Sequence, residues 1–267
     1  MPITNANGID LYYEVHGSGE PLLLIMGLSL NSKSWFRTLP ALKDHYQVIV
    51  YDNRGTGLSG KPNTPYSIEL MAEDAKAILD AAGVETAHIY GISMGGMIAQ
   101  RLAITYPERI KSLILGCTTA GGINHVQPEN DVSMLMLSRA STASTPEEMA
   151  WATAPILYSP SFIETHKELI AEDIQKRIEI PILPYAYMLQ LQACLAHDTS
   201  REIDQIKAPT LVIHGDADLL VPYENGVNLA NKIQSAEFLT ISGAGHIYVT
   251  EAQDFANDRV IDFLNIN

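Results

Sequence analysis

The sequence predicts an α/β protein: a mostly parallel, doubly wound sheet with an inserted helical lid. Three observations predict it. Short, continuous apolar runs rich in Val and Ile recur along the chain, as strands buried on both faces require. Amphipathic helical patterns lie between them, which is the alternation of a parallel sheet covered on both sides. One long stretch, from about residue 119 to 197, breaks that rhythm and reads as several helices.

Taken in order, Gly8 interrupts a β-like start, and IDLYYEV (9–15) alternates as a strand does. PLLLIM (21–26), YQVIVYD (46–52), TAHIYG (86–91), IKSLILG (110–116) and PTLVIHG (209–215) are the buried runs, and AEFLTI (236–241) is the last strand-like stretch. Ile68, Met71, Ala72, Ala75, Ile78, Leu79 and Ala82 fall on one helical face, with Gly83 as the stop. A second helix runs from Met94 to Tyr106 and ends at Pro107. Near the C-terminus Thr250 and Gln253 suggest a capping box, followed by a stripe of Ala252, Phe255, Ala256, Val260, Phe263 and Leu264.

The core is therefore expected over 1–118 and 198–267, with the lid over 119–197. Within the lid, Thr145, Pro146 and Glu148 mark a helix start. Met134, Met136, Met149, Trp151, Tyr158, Phe162, Tyr185, Tyr187 and Met188 could individually be packing; as a set they predict an apolar pocket wall. Trp151, Tyr187 and Met188 are the side chains expected to face the substrate. Arg139 and Arg177 are expected to be solvated.

With 46% hydrophobic and 18% charged residues, the 267-residue chain has the composition of a globular protein. Its formal net charge of -14 would repel a phosphate backbone, so nucleic acid is not an expected partner. The N-terminus lacks the basic and apolar regions of a signal peptide, and no run approaches the roughly 18 apolar residues of a membrane span. A cytoplasmic protein is expected, with no membrane partner; a homodimer is left open. Cys117 and Cys194 are the only cysteines and read as small buried hydrophobes rather than a disulfide.

HIYGISMGGM (88–97) carries the chemistry. GISMG lies where a strand gives way to a helix, the context in which a serine sits on a sharp, strained turn with its Oγ raised above the sheet. Glycine at 91 and 95 is expected to relieve crowding between the incoming strand and the outgoing helix. A phosphate-binding reading fails on spacing: GxGxxG is not met, and a P-loop lysine is absent.

A serine hydroxyl needs an imidazole to take its proton. His246 is the best placed of eight histidines, in SGAGH after the last strand. The carboxylate that orients it should lie between serine and histidine in the chain. HGDADLLVP (214–222) offers Asp218 first and Asp216 second, at the carboxyl end of a strand. His214, Asp216, Asp218 and His246 are also metal-ligand types, but no second HxH or HxxxE cluster supports a metal site, and no cofactor is expected. His214 reads as a satisfied core histidine.

The order Ser93, Asp218, His246 resembles the α/β-hydrolase superfamily, and the likeness extends over nearly the whole chain. YDNRGTGLSG matches that family's DxRGxGxS segment through Asp52, Arg54, Gly55, Gly57 and Ser59; GDADLLVP matches GxxDxxVP through Gly215, Asp218, Val221 and Pro222. The first of these reads as a loop fixed by an Arg–carboxylate pair near the pocket rim. Family members usually carry His-Gly after the early strand; Met26-Gly27-Leu28 stands here, similar to polyketide methylesterases and 3-oxoadipate enol-lactonase-like proteins. The resemblance implies an oxyanion hole made by the N–H groups of Leu28 and Met94. It implies a serine hydrolase acting on a small to medium, partly apolar ester or lactone through an acyl-enzyme. Perhydrolases and C–C hydrolases share the triad, and apolar Ile92 before the serine is unlike the latter. Dehalogenases and epoxide hydrolases of the family use an aspartate where Ser93 stands. The competing class is a non-catalytic ligand-binding protein on the same fold.

Overall fold

The computed structural model describes residues 2–138 and 145–267; Arg139 lies outside them. The described strands are β1 (Ile3–Ala6), β2 (Ile9–His16), β3 (Glu20–Ile25), β4 (Tyr46–Tyr51), β5 (Ala87–Ile92), β6 (Ile110–Gly116), β7 (Thr210–Gly215) and β8 (Ala236–Ile241). They form one sheet in the order β1-β2-β4-β3-β5-β6-β7-β8. The pairings of β1 with β2 and β2 with β4 are antiparallel, and the rest are parallel. The β-like start before Gly8 is a full strand, β1, joined to β2 through Asn7 and Gly8 at φ 50° and 79°.

Helices in chain order are α1 (Leu39–Leu42), α2 (Ile68–Ala81), α3 (Met94–Thr105), α4 (Asn130–Ser138), α5 (Pro146–Leu157), α6 (Pro160–Thr165), α7 (Lys167–Ile178), α8 (Pro184–Ala196), α9 (Glu224–Lys232), α10 (Tyr248–Glu251) and α11 (Gln253–Asn265). The continuous apolar runs are explained by the sheet's two covered faces. Leu23, Ile25, Ile49 and Tyr51 point to the face packed by α2, α3 and α9, where Met71, Ile78, Ile98, Leu102 and Leu229 are buried. Leu22, Leu24, Val48 and Val50 alternate to the other face, against Trp35, Leu42 and the Val260–Phe263–Leu264 stripe of α11. Each such side chain removed from water contributes about 1.5–3 kcal/mol.

Helices α4 to α8 lie between β6 and β7 and bury a further cluster with Val132, Met136, Phe162, Ile170, Ile174 and Tyr187, which Ile247 after β8 joins. α5 opens on a reciprocal capping box: the Glu148 N–H donates to Thr145 Oγ1, and the Glu148 carboxylate accepts the Thr145 N–H at 2.8 Å. The box expected at Thr250 and Gln253 does not form. Thr250 is buried in α10, its hydroxyl donates to Asp173 Oδ2 at 2.7 Å, and α11 starts without a side-chain cap. Among the described residues no helix is long and apolar enough to cross a membrane. Both cysteines are free thiols.

Candidate active site

Ser93 links β5 to α3 at φ 56°, ψ −120°, a left-handed conformation that a non-glycine residue holds only when its surroundings impose it. Its backbone is clamped on both sides. The Ser93 N–H donates to the Gly116 carbonyl at 2.9 Å, and its own carbonyl accepts the N–H of Gly96, the N–H of Met97 and the Thr118 hydroxyl. A Cβ on Gly91 would lie 2.2 Å from the Gly95 carbonyl oxygen, so strand and helix do meet there as expected. Gly95 answers to a different neighbour: its Cβ would strike the Ile25 carbonyl at 2.0 Å, at the end of β3 rather than β5.

Asp218, in the loop after β7, and His246, after β8, converge on the same place. His246 Nδ1 lies 2.7 Å from Asp218 Oδ2, with both groups buried. Asp218 Oδ1 accepts the N–H groups of Leu220 and Val221, each at 2.9 Å. Burial alone would raise the Asp218 pKa. The charge on His246 and hydrogen bonds from His214 and His246 outweigh it and hold the carboxyl at about 2. An ionised Asp218 can only accept, so Nδ1 carries a proton, and Nε2 is the nitrogen left to accept when the ring is neutral. Asp216 serves elsewhere: it accepts the Gly243 N–H at 2.6 Å and the Ser242 hydroxyl at 3.2 Å, pinning the loop that carries His246.

Ser93 and His246 line one cavity of about 650 Å³, but no hydrogen bond joins Ser93 Oγ to Nε2. The group nearest in bonding geometry to Nε2 is the Cys117 sulfur, at 3.9 Å. Ser–His contacts are often long without substrate and shorten when the acyl group arrives. Cys117 follows β6 with φ 37° and was read as a plain core residue; only its place at a strand's carboxyl end hinted at more. Cys117, Asp218 and His246 bring potential ligand atoms within 4.8 Å of one another. Burial and the Asp218 charge push the thiol pKa far up, which disfavours the thiolate a metal would take. His214 is only partly satisfied: Nε2 lies 2.8 Å from the Val221 carbonyl, while buried Nδ1 has no partner.

The Met26-Gly27-Leu28 segment comes so close to the elbow that a Cβ on Gly27 would lie 3.2 Å from Ser93 Cβ. Two amides hold this segment. Asn53 Nδ2 donates to the Met26 carbonyl at 2.9 Å. Gln190 of α8 accepts the Ser29 N–H at 2.9 Å and donates to the Arg54 carbonyl at 2.8 Å. Neither was foreseen, and Gln190 is 161 residues from its partner in sequence. Arg54 pairs bidentately with Asp74 of α2 at 2.6 and 2.7 Å; both are buried and neither lines the cavity, so the pair is not at its rim.

The cavity wall is mostly apolar, with Leu28, Met97, Met136, Met149, Leu157 and Leu191 among its lining. Trp151, Tyr187 and Met188 do not line it. α5 turns Met149, Ala150, Thr153 and Leu157 inward, which places Trp151 on the opposite, outer face. Tyr187 is buried inside the inserted helices with its hydroxyl on the Met136 carbonyl at 2.8 Å, and Met188 packs against the same cluster. Arg177, expected in solvent, lines the cavity.

Residues 20–252 match the family described as the alpha/beta hydrolase fold. The chain belongs to the α/β-hydrolase family. Its curated relatives include RutD of Azorhizobium caulinodans, named a carbamate hydrolase, 33% identical over 98% of both chains. Among solved α/β hydrolases, the enol-lactonase of Burkholderia xenovorans LB400 is 28% identical with a TM-score of 0.86, covering 99% of this chain and 100% of that one. A thermophilic esterase of Thermogutta terrifontis, solved with malate bound, is 27% identical with a TM-score of 0.84 and covers 98% and 96%. Hydrolase chemistry on this fold is what these likenesses share.

Proposed function

We propose that the protein is a serine hydrolase of carboxylic esters or lactones, working through an acyl-enzyme on Ser93. The observation that carries this reading is the buried 2.7 Å Asp218–His246 pair facing the cavity that Ser93 also lines. In the proposed cycle Ser93 Oγ attacks the carbonyl carbon. His246 Nε2 takes the proton and returns it to the leaving alcohol, while Asp218 holds the tautomer and stabilises the imidazolium. The N–H groups of Leu28 and Met94 receive the developing oxyanion; one such donor is worth roughly 100- to 1,000-fold in rate. Water then repeats the steps on the acyl-enzyme. A mostly apolar cavity of about 650 Å³ suits a small to medium acyl group.

RutD's name adds a second acyl class. A carbamate carbonyl is attacked by the same groups, more slowly, because its nitrogen lone pair lowers its electrophilicity. Perhydrolysis and C–C cleavage are alternatives on the same triad. The test has two arms. A fluorophosphonate probe is expected to label Ser93, and initial rates on a panel of esters, lactones and carbamates rank the classes. Folded protein that takes up no probe and turns over none of the panel would instead be a non-catalytic binder.

A further inference from the structure

Arg177 lies on α7 four residues after Asp173, and both line the cavity together with Arg37. The acids in this region are already engaged. Asp173 Oδ1 takes Arg37 Nε at 2.9 Å, and its Oδ2 accepts the hydroxyls of Tyr158 and Thr250, each at 2.7 Å. Glu172 pairs with Arg37 at 2.6 Å. Glu251 accepts the N–H groups of Ser159 and Gly245 and the Ser159 hydroxyl.

Arg177 is different. Its Nη2 donates to the Tyr158 hydroxyl at 3.0 Å, and its guanidinium carbon sits 5.7 Å from that ring's centre. Among the described residues no carboxylate lies within ion-pair distance of it. A half-buried guanidinium with most of its five donors unspent, in a cavity also lined by Leu157, Ile178 and Ile182, matches a planar carboxylate. The chain's net charge of -14 repels anions at long range, so a local cation is what would hold one inside. The site shares its cavity with Ser93 and His246. Leu157, next to Tyr158, accepts the N–H of Ile247 at 3.0 Å, and Ile247 adjoins His246.

We propose that the cavity selects acyl substrates carrying a carboxylate at the end remote from the reacting carbonyl, and that Arg177 receives that carboxylate. This rests on the hydrolytic reading of Ser93 and narrows its substrate class.

The test compares kcat/KM for monomethyl esters of dicarboxylic acids, succinate through suberate, with methyl esters of the neutral monocarboxylic acids of matched length. The acidic series is expected to lead by about tenfold or more at the best length, the worth of a charged hydrogen-bond partner. Arg177→Met is expected to erase that ratio, and Arg177→Lys to keep part of it. A ratio at or below one at every length, or one that Arg177→Met leaves unchanged, overturns the proposal. Binding separates it from the hydrolytic reading. Calorimetry on Ser93→Ala is expected to show hemi-ester binding that the added Arg177→Met abolishes, even if the wild type turns over neither series. Hemi-esters that fail to bind, or that bind equally to both variants, overturn it independently of turnover.

Discussion

The strand-end corner and the inserted helices are held by different proportions of backbone and side-chain bonds. At the corner, Ser93 and Asp218 are positioned mostly by backbone groups, the Gly116 carbonyl of β6 for the serine and the Leu220 and Val221 N–H groups for the aspartate, while the Asp218 and Asp216 carboxylates hold the His246 ring and its loop. Besides the backbone bond from the Ile247 N–H to the Leu157 carbonyl, the inserted helices are moored to the core by side chains that reach across. Arg37 meets Asp173, Thr250 meets Asp173, Glu251 meets Ser159, and Gln190 joins Ser29 to Arg54. Backbone scaffolding tolerates sequence change; side-chain moorings do not. On the proposed function, the corner supplies the chemistry and the inserted helices supply much of the cavity wall.

Substitutions at the corner should strike rate, and substitutions at the moorings should strike stability. The largest effect is expected from Ser93→Ala, with ester turnover down by about 10⁴-fold or more and a melting temperature near wild type. A comparable turnover in that variant would remove the corner from the chemistry altogether. Asp218→Asn is expected to lower kcat by about 10⁴-fold by releasing the imidazole tautomer. It also carries a pH signature. The Asp218 pKa is depressed to about 2, so its stabilisation is complete above the ordinary carboxylate range. About 2 kcal/mol is then lost as pH falls from about 4 to 2. Urea titrations across that window should show the wild type converging on the variant.

Asp173→Ala should do the reverse. It leaves Arg37 with only the exposed Glu172 as ion-pair partner and takes the acceptor from two buried hydroxyls, at a cost of about 1–3 kcal/mol in unfolding free energy, while phosphonate labelling of Ser93 survives. Gln190→Leu tests the mooring beside the Gly27–Leu28 segment. Leaving the Ser29 N–H and Arg54 carbonyl unpaired is expected to cost about 1–3 kcal/mol and to lower kcat without raising KM. A pure stability loss would show that the Gly27–Leu28 segment holds itself. Smallest is Thr145→Ala, which removes the cap of α5 and should cost about 1 kcal/mol with no change in ester kinetics.

The same contrast explains what could be read from the sequence. β6 was expected at 110–116 and is found at Ile110–Gly116, because a strand buried on both faces writes its limits as an apolar run. The elbow and the His246 loop were legible because each needs particular residues within a few positions. The inserted helices gave their existence but not their rotation. Met149 and Trp151 are both large and apolar, and the outcome that one faces the cavity and the other solvent is decided by packing against distant partners. Asp74 as the partner of Arg54, and Gln190 as that of Ser29, left no local pattern at all.

The loop that bears the imidazole is tied into the inserted helices at three successive places: Gly245 and Ser159 through Glu251, Ile247 through Leu157, and Thr250 through Asp173. On the proposed function, the proton acceptor is thus tied to the cavity wall, and a displacement of α7 is expected to pull on the residues that flank the ring. Exchanging residues 119–197 for a cousin's in search of new selectivity would cut those tethers too. Chimaeras that keep Leu157, Ser159 and Asp173 should retain speed that wholesale grafts forfeit.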